Sequence, residues 1–429
     1  MTMKNGKLLV LIIVLLLTST IVFAVGARDS SGSSAKEIRV LLANHPYGEL
    51  LRPLIPEFER ETGIRVIVES LQEAQLTQRL TTEFASGSST VDVFMTRPLQ
   101  ETLLFLKNNW YAPLDGYDFS DYSSNTVDIG RKDGKAHVVP LVTEWQVLYY
   151  RKDLLERAGL KVPTTFAELE NAARILNTGG VAGFGSRGAG AAAVTQLSSY
   201  VYNYGGKYLD NNIAVFDRPE AMEAIRFYGN LLGNYGPQGV TAMSWEHLMP
   251  VFQAGRLAMW TDASVFLSQI IDPASTQIPA ENVGVAKLPS GPKGDSPFIV
   301  VSWGMGISSR TRDRDSAMKF ITWATSKELA LKAMSANITM ARGSVWTDPS
   351  VRSQINPGII ETMIHASQNG YPYDRPFMSS VGQARDLIGE VIIESINTRG
   401  TSPRLQALAT EKNAAVNDLL KADGEYGTR

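Results

Sequence analysis

The chain has 429 residues, 44% of them hydrophobic, with 41 Lys and Arg against 43 Asp and Glu and no cysteine. A formal net charge of −2 argues against a binder of nucleic acid or of a membrane surface. Lack of cysteine excludes disulfides, thiolate metal sites, cysteine nucleophiles and a lipid-bearing cysteine.

In chain order, Lys4 and Lys7 come first, followed by an unbroken apolar run from Leu8 to Leu17 and small residues at Ala24 and Ala27. This pattern predicts an export signal over residues 1–24, with cleavage after Ala27 as a second choice and a retained membrane anchor as the alternative. Cleavage after Ala24 removes two lysines and no acid, taking the net charge from −2 to −4. On either reading the remainder works outside the cytoplasm, away from ATP and NAD. Residues 25–35, rich in Ser and Gly, predict a disordered leader.

Ile38 to Leu42 reads as a buried strand, and Leu50 to Arg60 as a helix stopped at Gly63. Ile64 to Val68 is a second strand. Leu76, Leu80 and Phe84 mark a second helix closed by Gly87, and Val91 to Met95 is a third strand. Strands alternating with helices over short links predict a parallel sheet. Val147 to Tyr150 is strand-like, Thr165 to Glu168 is a capping box, and Asp217-Arg218-Pro219-Glu220 starts a helix. Leu248 to Ala254 passes through Gly255 into a strand over Arg256 to Trp260. Val283 to Leu288 is a strand before the turn Pro289 to Pro292. Ser302 to Ile307 and Ser316 to Ala324 form a last strand–helix unit, and Ser402-Pro403 starts a final amphipathic helix. The roughly 400 residues beyond the signal are too many for one simple core and suit two domains.

Several patterns for catalysis fail. Gly183-Phe184-Gly185-Ser186-Arg187-Gly188 matches a dinucleotide fingerprint in letters, but a helix precedes it and no striped helix is evident after it, so it reads as a flexible loop. The four histidines, His45, His137, His247 and His365, have no metal-ligand spacing. No Gly-x-Ser-x-Gly elbow is present. Neither cofactor nor metal is expected. A hydrolase or lyase with paired carboxylates stays open, because two acids can converge from anywhere in a chain.

Three blocks carry a family resemblance: Phe58 to Val66, Val139 to Leu154, and Phe252 to Trp260 followed by Val283 to Pro289 and Trp303-Gly304. The chain resembles the family 1 extracellular solute-binding proteins of bacterial ABC transporters, the group that contains maltose-binding protein, and within it the branch serving sugars and sugar alcohols. The resemblance runs from about Ile38 to the end. It implies a type II periplasmic-binding-protein fold: two α/β lobes, each a mostly parallel sheet flanked by helices, with a ligand cleft between them. It also implies lobes at 36–143 with 290–342 and at 144–289 with 343–429. A monomer outside the cytoplasm would pass an unaltered carbohydrate to a membrane permease. The alternative is an exported glycosidase or lyase using two of Glu73, Glu144 and Asp262.

A sugar site needs carboxylates, amides and arginines for hydroxyls, and flat rings for C–H faces. Trp260, Trp303 and Trp145 fall at strand ends or crossings, where α/β sheets hold ligands; the alternative for each is a core or hinge tryptophan. Trp323 reads as core. Asp262 and Glu144 are candidate hydroxyl acceptors, or else a cap and a surface acid. Glu73 follows the second strand, and Asn44, His45 and Tyr47 follow the first. Arg187, in the glycine-rich loop, and Arg342, at the last expected crossing, are candidate donors. The sequence departs from the family at Thr96-Arg97-Pro98, where many members have an acidic or aromatic residue. Arg97 facing a ligand oxygen or carboxylate makes an acidic sugar an alternative to a neutral one.

Overall fold

The computed structural model describes residues 36–88 and 90–428. The expected signal and leader lie outside the described residues. Among those residues no helix is long and apolar enough to cross a membrane.

Strand β1 (Glu37–Ala43) is buried along most of its length, as expected of a strand covered on both faces. It pairs in parallel with β2 (Arg65–Leu71) on one side and with β3 (Val93–Thr96) on the other. The helix expected at Leu50 to Arg60 is interrupted. A short helix ends at Leu51, a 3-10 turn holds Pro53, and α1 (Ile55–Thr62) follows. Prolines at 53 and 56 supply no N–H, which breaks one continuous ladder. Helix α1 stops at Gly63, whose φ of 68° lets its N–H reach the Glu59 carbonyl at 2.9 Å. Helices α2 (Glu73–Ala85) and α3 (Pro98–Lys107) begin just beyond β2 and β3.

The fourteen-residue strand β4 (Val138–Arg151) joins the two halves of the sheet. The remaining strands are β5 (Met259–Ala263), β6 (Val283–Lys287) and β7 (Ile299–Ile307). The sheet order is β6-β4-β7-β3-β1-β2, with β5 also paired to β4. Up to Trp145, β4 pairs with β7; from Gln146 onward it pairs with β5 and β6. These later pairings are antiparallel. Among the described residues the parallel ladders lie between β1, β2 and β3, whereas β4, β5 and β6 pair antiparallel, so the second half departs from the mostly parallel sheet expected of it.

Helices α4 (Phe166–Leu176), α5 (Gly190–Asn203), α6 (Pro219–Tyr235), α7 (Trp245–Gln253), α8 (Arg314–Ala324), α9 (Val381–Asn397) and α10 (Leu405–Ala422) cover the sheet and build the second half. The Thr165 hydroxyl accepts from the Glu168 N–H at 3.2 Å, and Glu168 accepts from the Thr165 N–H at 3.2 Å, which completes the predicted capping box. One apolar core gathers around Phe58, Phe94, Phe105 and Phe320, and a second around Phe166, Tyr200, Phe216 and Tyr228. The first continues past the β4 crossing to take in Phe252 and Trp260.

The segment Gly183 to Gly188 differs from its expectation as a flexible loop. All six residues are buried, and α5 follows directly. A Cβ on Gly183 would come 1.9 Å from the Ala173 carbonyl oxygen, and one on Gly188 2.3 Å from that of Val240. These glycines serve close chain packing.

Candidate functional site

Strand ends and helix starts deliver polar side chains to one enclosed chamber. His45, directly after β1, caps the helix Pro46–Leu51, and its Nδ1 accepts the Tyr47 N–H at 3.2 Å. That bond leaves the ring proton on Nε2, which donates to Glu144 Oε1 at 3.0 Å. Glu144 sits on β4 opposite Val300, beside the change of partner strands. Glu73 opens α2, accepting from Trp245 Nε1 on α7 and from Arg97 Nη1 after β3, each at 3.0 Å. The Arg97 Nε also donates to Glu101 Oε1 at 3.2 Å, and its guanidinium lies 5.8 Å from the Trp303 ring centre.

Trp303 and Ser302 both line the chamber although they are neighbours on β7. A regular strand would turn them to opposite faces. Register shifts between Val301 and Gly304 break that alternation and turn both inward. The Trp303 ring packs 5.3 Å from His45. Arg187 donates to Asp262 from Nη2 at 2.6 Å, and from Nε to both carboxylate oxygens at 3.1 Å. Asp374 and Arg375 form a further pair, with Nε to Oδ1 at 2.7 Å.

The chamber encloses about 30 Å³. It shares Glu73, Arg97 and Arg187 with an outer pocket of about 500 Å³ between α2, α7 and α9, a volume within the usual range for small-molecule sites. Burial would raise the Glu73 carboxyl. Arg97, Arg187, His45 and Arg375 outweigh that and hold it at about 2. Glu73 is thus a carboxylate at neutral pH, available as an acceptor.

The structure therefore brings His45, Glu73, Arg97, Glu144, Arg187 and Trp303 together and leaves the other candidates outside the chamber lining. Trp260 is fully buried, 5.9 Å from Phe266 and 5.6 Å from Tyr149, so it is a core residue. Trp145 packs against Trp346 and donates to Thr362 at 3.0 Å, which makes it part of the crossing. Asp262 is fully buried behind Arg187, which it orients. Arg342 is bound to Asp121 at 2.9 Å and covers Tyr122. Asn44 is partly buried and bonds its backbone to Leu71 at 2.8 Å. Sequence reasoning missed Thr195, Phe266, Phe298, Asp374 and Arg375, all of which line the chamber. The available signal was an adjacent Asp374-Arg375 between Pro372 and Pro376, an ion pair set in a rigid aromatic loop.

The sequence model of the bacterial extracellular solute-binding proteins matches residues 43–330. A mannitol-binding protein of Pseudomonas aeruginosa is 29% identical over 268 residues, 60% of this chain and 61% of that protein. An erythritol/L-threitol-binding protein of Mycolicibacterium smegmatis is 27% identical over 379 residues, 81% of this chain and 76% of that protein. A crystal structure of a solute-binding protein from Agrobacterium vitis with bound D-mannitol superposes with a TM-score of 0.80 at 24% identity, covering 91% of this chain and 99% of that one. The architecture is thus the two-lobed α/β fold of periplasmic binding proteins.

Proposed function

This chain belongs to the bacterial extracellular solute-binding proteins, and from that premise we propose that it is the carbohydrate-binding component of an ABC importer. The ligand class is a sugar, a short oligosaccharide or a sugar alcohol, as the names of the two polyol-binding relatives suggest. The protein works outside the cytoplasm after its N-terminal signal is removed. Its partners are the ligand and a membrane permease, and it acts as a monomer.

The observation that carries this reading is the chamber itself. Its walls come from both sides of the point where β4 changes partners: His45, Arg97 and Trp303 from one, Arg187, Ala263 and Arg375 from the other. We assign residues 36–143 and 290–342 to one lobe and 144–289 and 343–429 to the other. A ligand that touches both walls binds the shut form better than the open one and shifts the population toward it. Carboxylates and arginines meet hydroxyls, and Trp303 meets a C–H face. No covalent step is needed. A carboxyl held at about 2 is a poor general acid at neutral pH, which speaks against Glu73 as the acid of a glycosidase.

Calorimetry against hexitols, tetritols and maltose tests the reading. A saturable, roughly micromolar affinity, about −8 kcal/mol, is expected for at least one, with the compound recovered unchanged. Trp303→Ala should weaken that binding about tenfold, through lost stacking and buried area. Recovery of a cleaved or rearranged product would replace transport with catalysis.

A further inference from the structure

The outer pocket contains an arginine that, among the described residues, forms no ion pair. Arg385 on α9 is 7% exposed and lines the pocket beside Glu73, Arg97 and Arg187. Its Nη1 donates to Gln100 Oε1 at 2.6 Å and its Nη2 to Thr195 Oγ1 at 3.4 Å, both neutral acceptors. Its buried Nε has no hydrogen-bond partner. Arg97, Arg187 and Arg375 each pair with a carboxylate; among the described residues Arg385 pairs with none. Arg375 even draws on the same two acceptors, Gln100 at 2.9 Å and Thr195 at 3.3 Å. Burial, then the guanidiniums of Arg375 and Arg97, push Arg385 well below the ordinary arginine range, with Asp374 and Glu73 opposing. Two more carboxylates line the pocket: Glu246, held by Ser244, and exposed Asp386; neither bonds to Arg385.

A buried, unpaired guanidinium is costly, and an anion reaching it removes that cost. Resting on the carbohydrate reading above, we propose that the solute is an anionic polyol, a sugar acid or a sugar phosphate, whose charged group pairs with Arg385 in the outer pocket. Its hydroxyl chain then runs toward Glu73 and Trp303. This moves the acidic-sugar alternative from Arg97, which Glu73 and Glu101 neutralise, to Arg385.

The test is titration of the full mature chain with D-gluconate, D-sorbitol 6-phosphate and D-mannitol, in the wild type and in Arg385→Gln. Gluconate or the phosphate ester should bind more tightly than mannitol, and whichever does identifies a carboxylate or a phosphate as the group. Arg385→Gln should weaken the anion about tenfold to hundredfold and change mannitol little. If that variant does not fold, the wild type decides alone. Raising salt from about 20 to about 500 mM should weaken an anion paired in a pocket open to solvent, and leave mannitol unaffected. Tighter binding of mannitol than of either anion, or equal losses for both in Arg385→Gln, overturns the proposal and leaves the carbohydrate reading intact. Binding of none of the three, nor of the neutral panel above, overturns both.

Discussion

At the residue scale, Glu73 shows how an acid becomes a fixed acceptor. It takes one hydrogen bond from Trp245 and one from Arg97, with Arg187 and Arg375 acting at longer range. Its folded value of about 2 lies below its ordinary value of 4.5. The stabilisation is therefore complete above pH 4.5 and is lost as the pH falls toward 2. Melting curves of the wild type and Glu73→Gln should differ most at neutral pH and converge near pH 2; a constant gap would remove Glu73 as the cause. Trp260 makes the contrasting case. It reads like a ligand-stacking residue in sequence because it ends a strand beside an acid, yet it is fully buried among Tyr149, Phe252 and Phe266. Trp260→Ala should cost about 3–5 kcal/mol in urea unfolding. Strand position alone cannot separate it from Trp303, because only the β7 register shift turns Trp303 toward the chamber.

At the element scale, capping and periodicity were readable wherever the signal lay within a few residues. The Thr165–Glu168 box forms as expected, and Thr165→Ala should cost about 1 kcal/mol in chemical denaturation without changing ligand affinity. Helix α5 shows the opposite. Its run of small and β-branched residues, Gly190 to Thr195, gives no clear stripe because most of its surface is buried. It packs against α6 and α9, and Gly389 of α9 leaves room for Gly190, a Cβ there standing 2.5 Å from the Gly190 carbonyl carbon. That closeness also places Thr195 where it meets both Arg375 and Arg385.

At the scale of the whole molecule, β4 is the element that joins the two sets of strands. Its first half belongs to one set of strands and its second half to another, with Glu144 and Trp145 at the change. A guest held by residues on both sides of that change stabilises only the folded chain. At a hundred times the dissociation constant the gain is about 2.7 kcal/mol.

The sequence by itself determined the parallel β1–β3 unit, the helix caps and the family, and it named six of the residues that line the chamber among its candidates without separating them from the rest, because local patterning and strand-end position both leave marks within short windows. Only the tertiary structure decided which charges meet. Arg187 finds Asp262 across 75 residues and Arg385 finds Gln100 across 285. Such pairings depend on how helices and strands pack, and packing alone determines which arginine is left for a ligand.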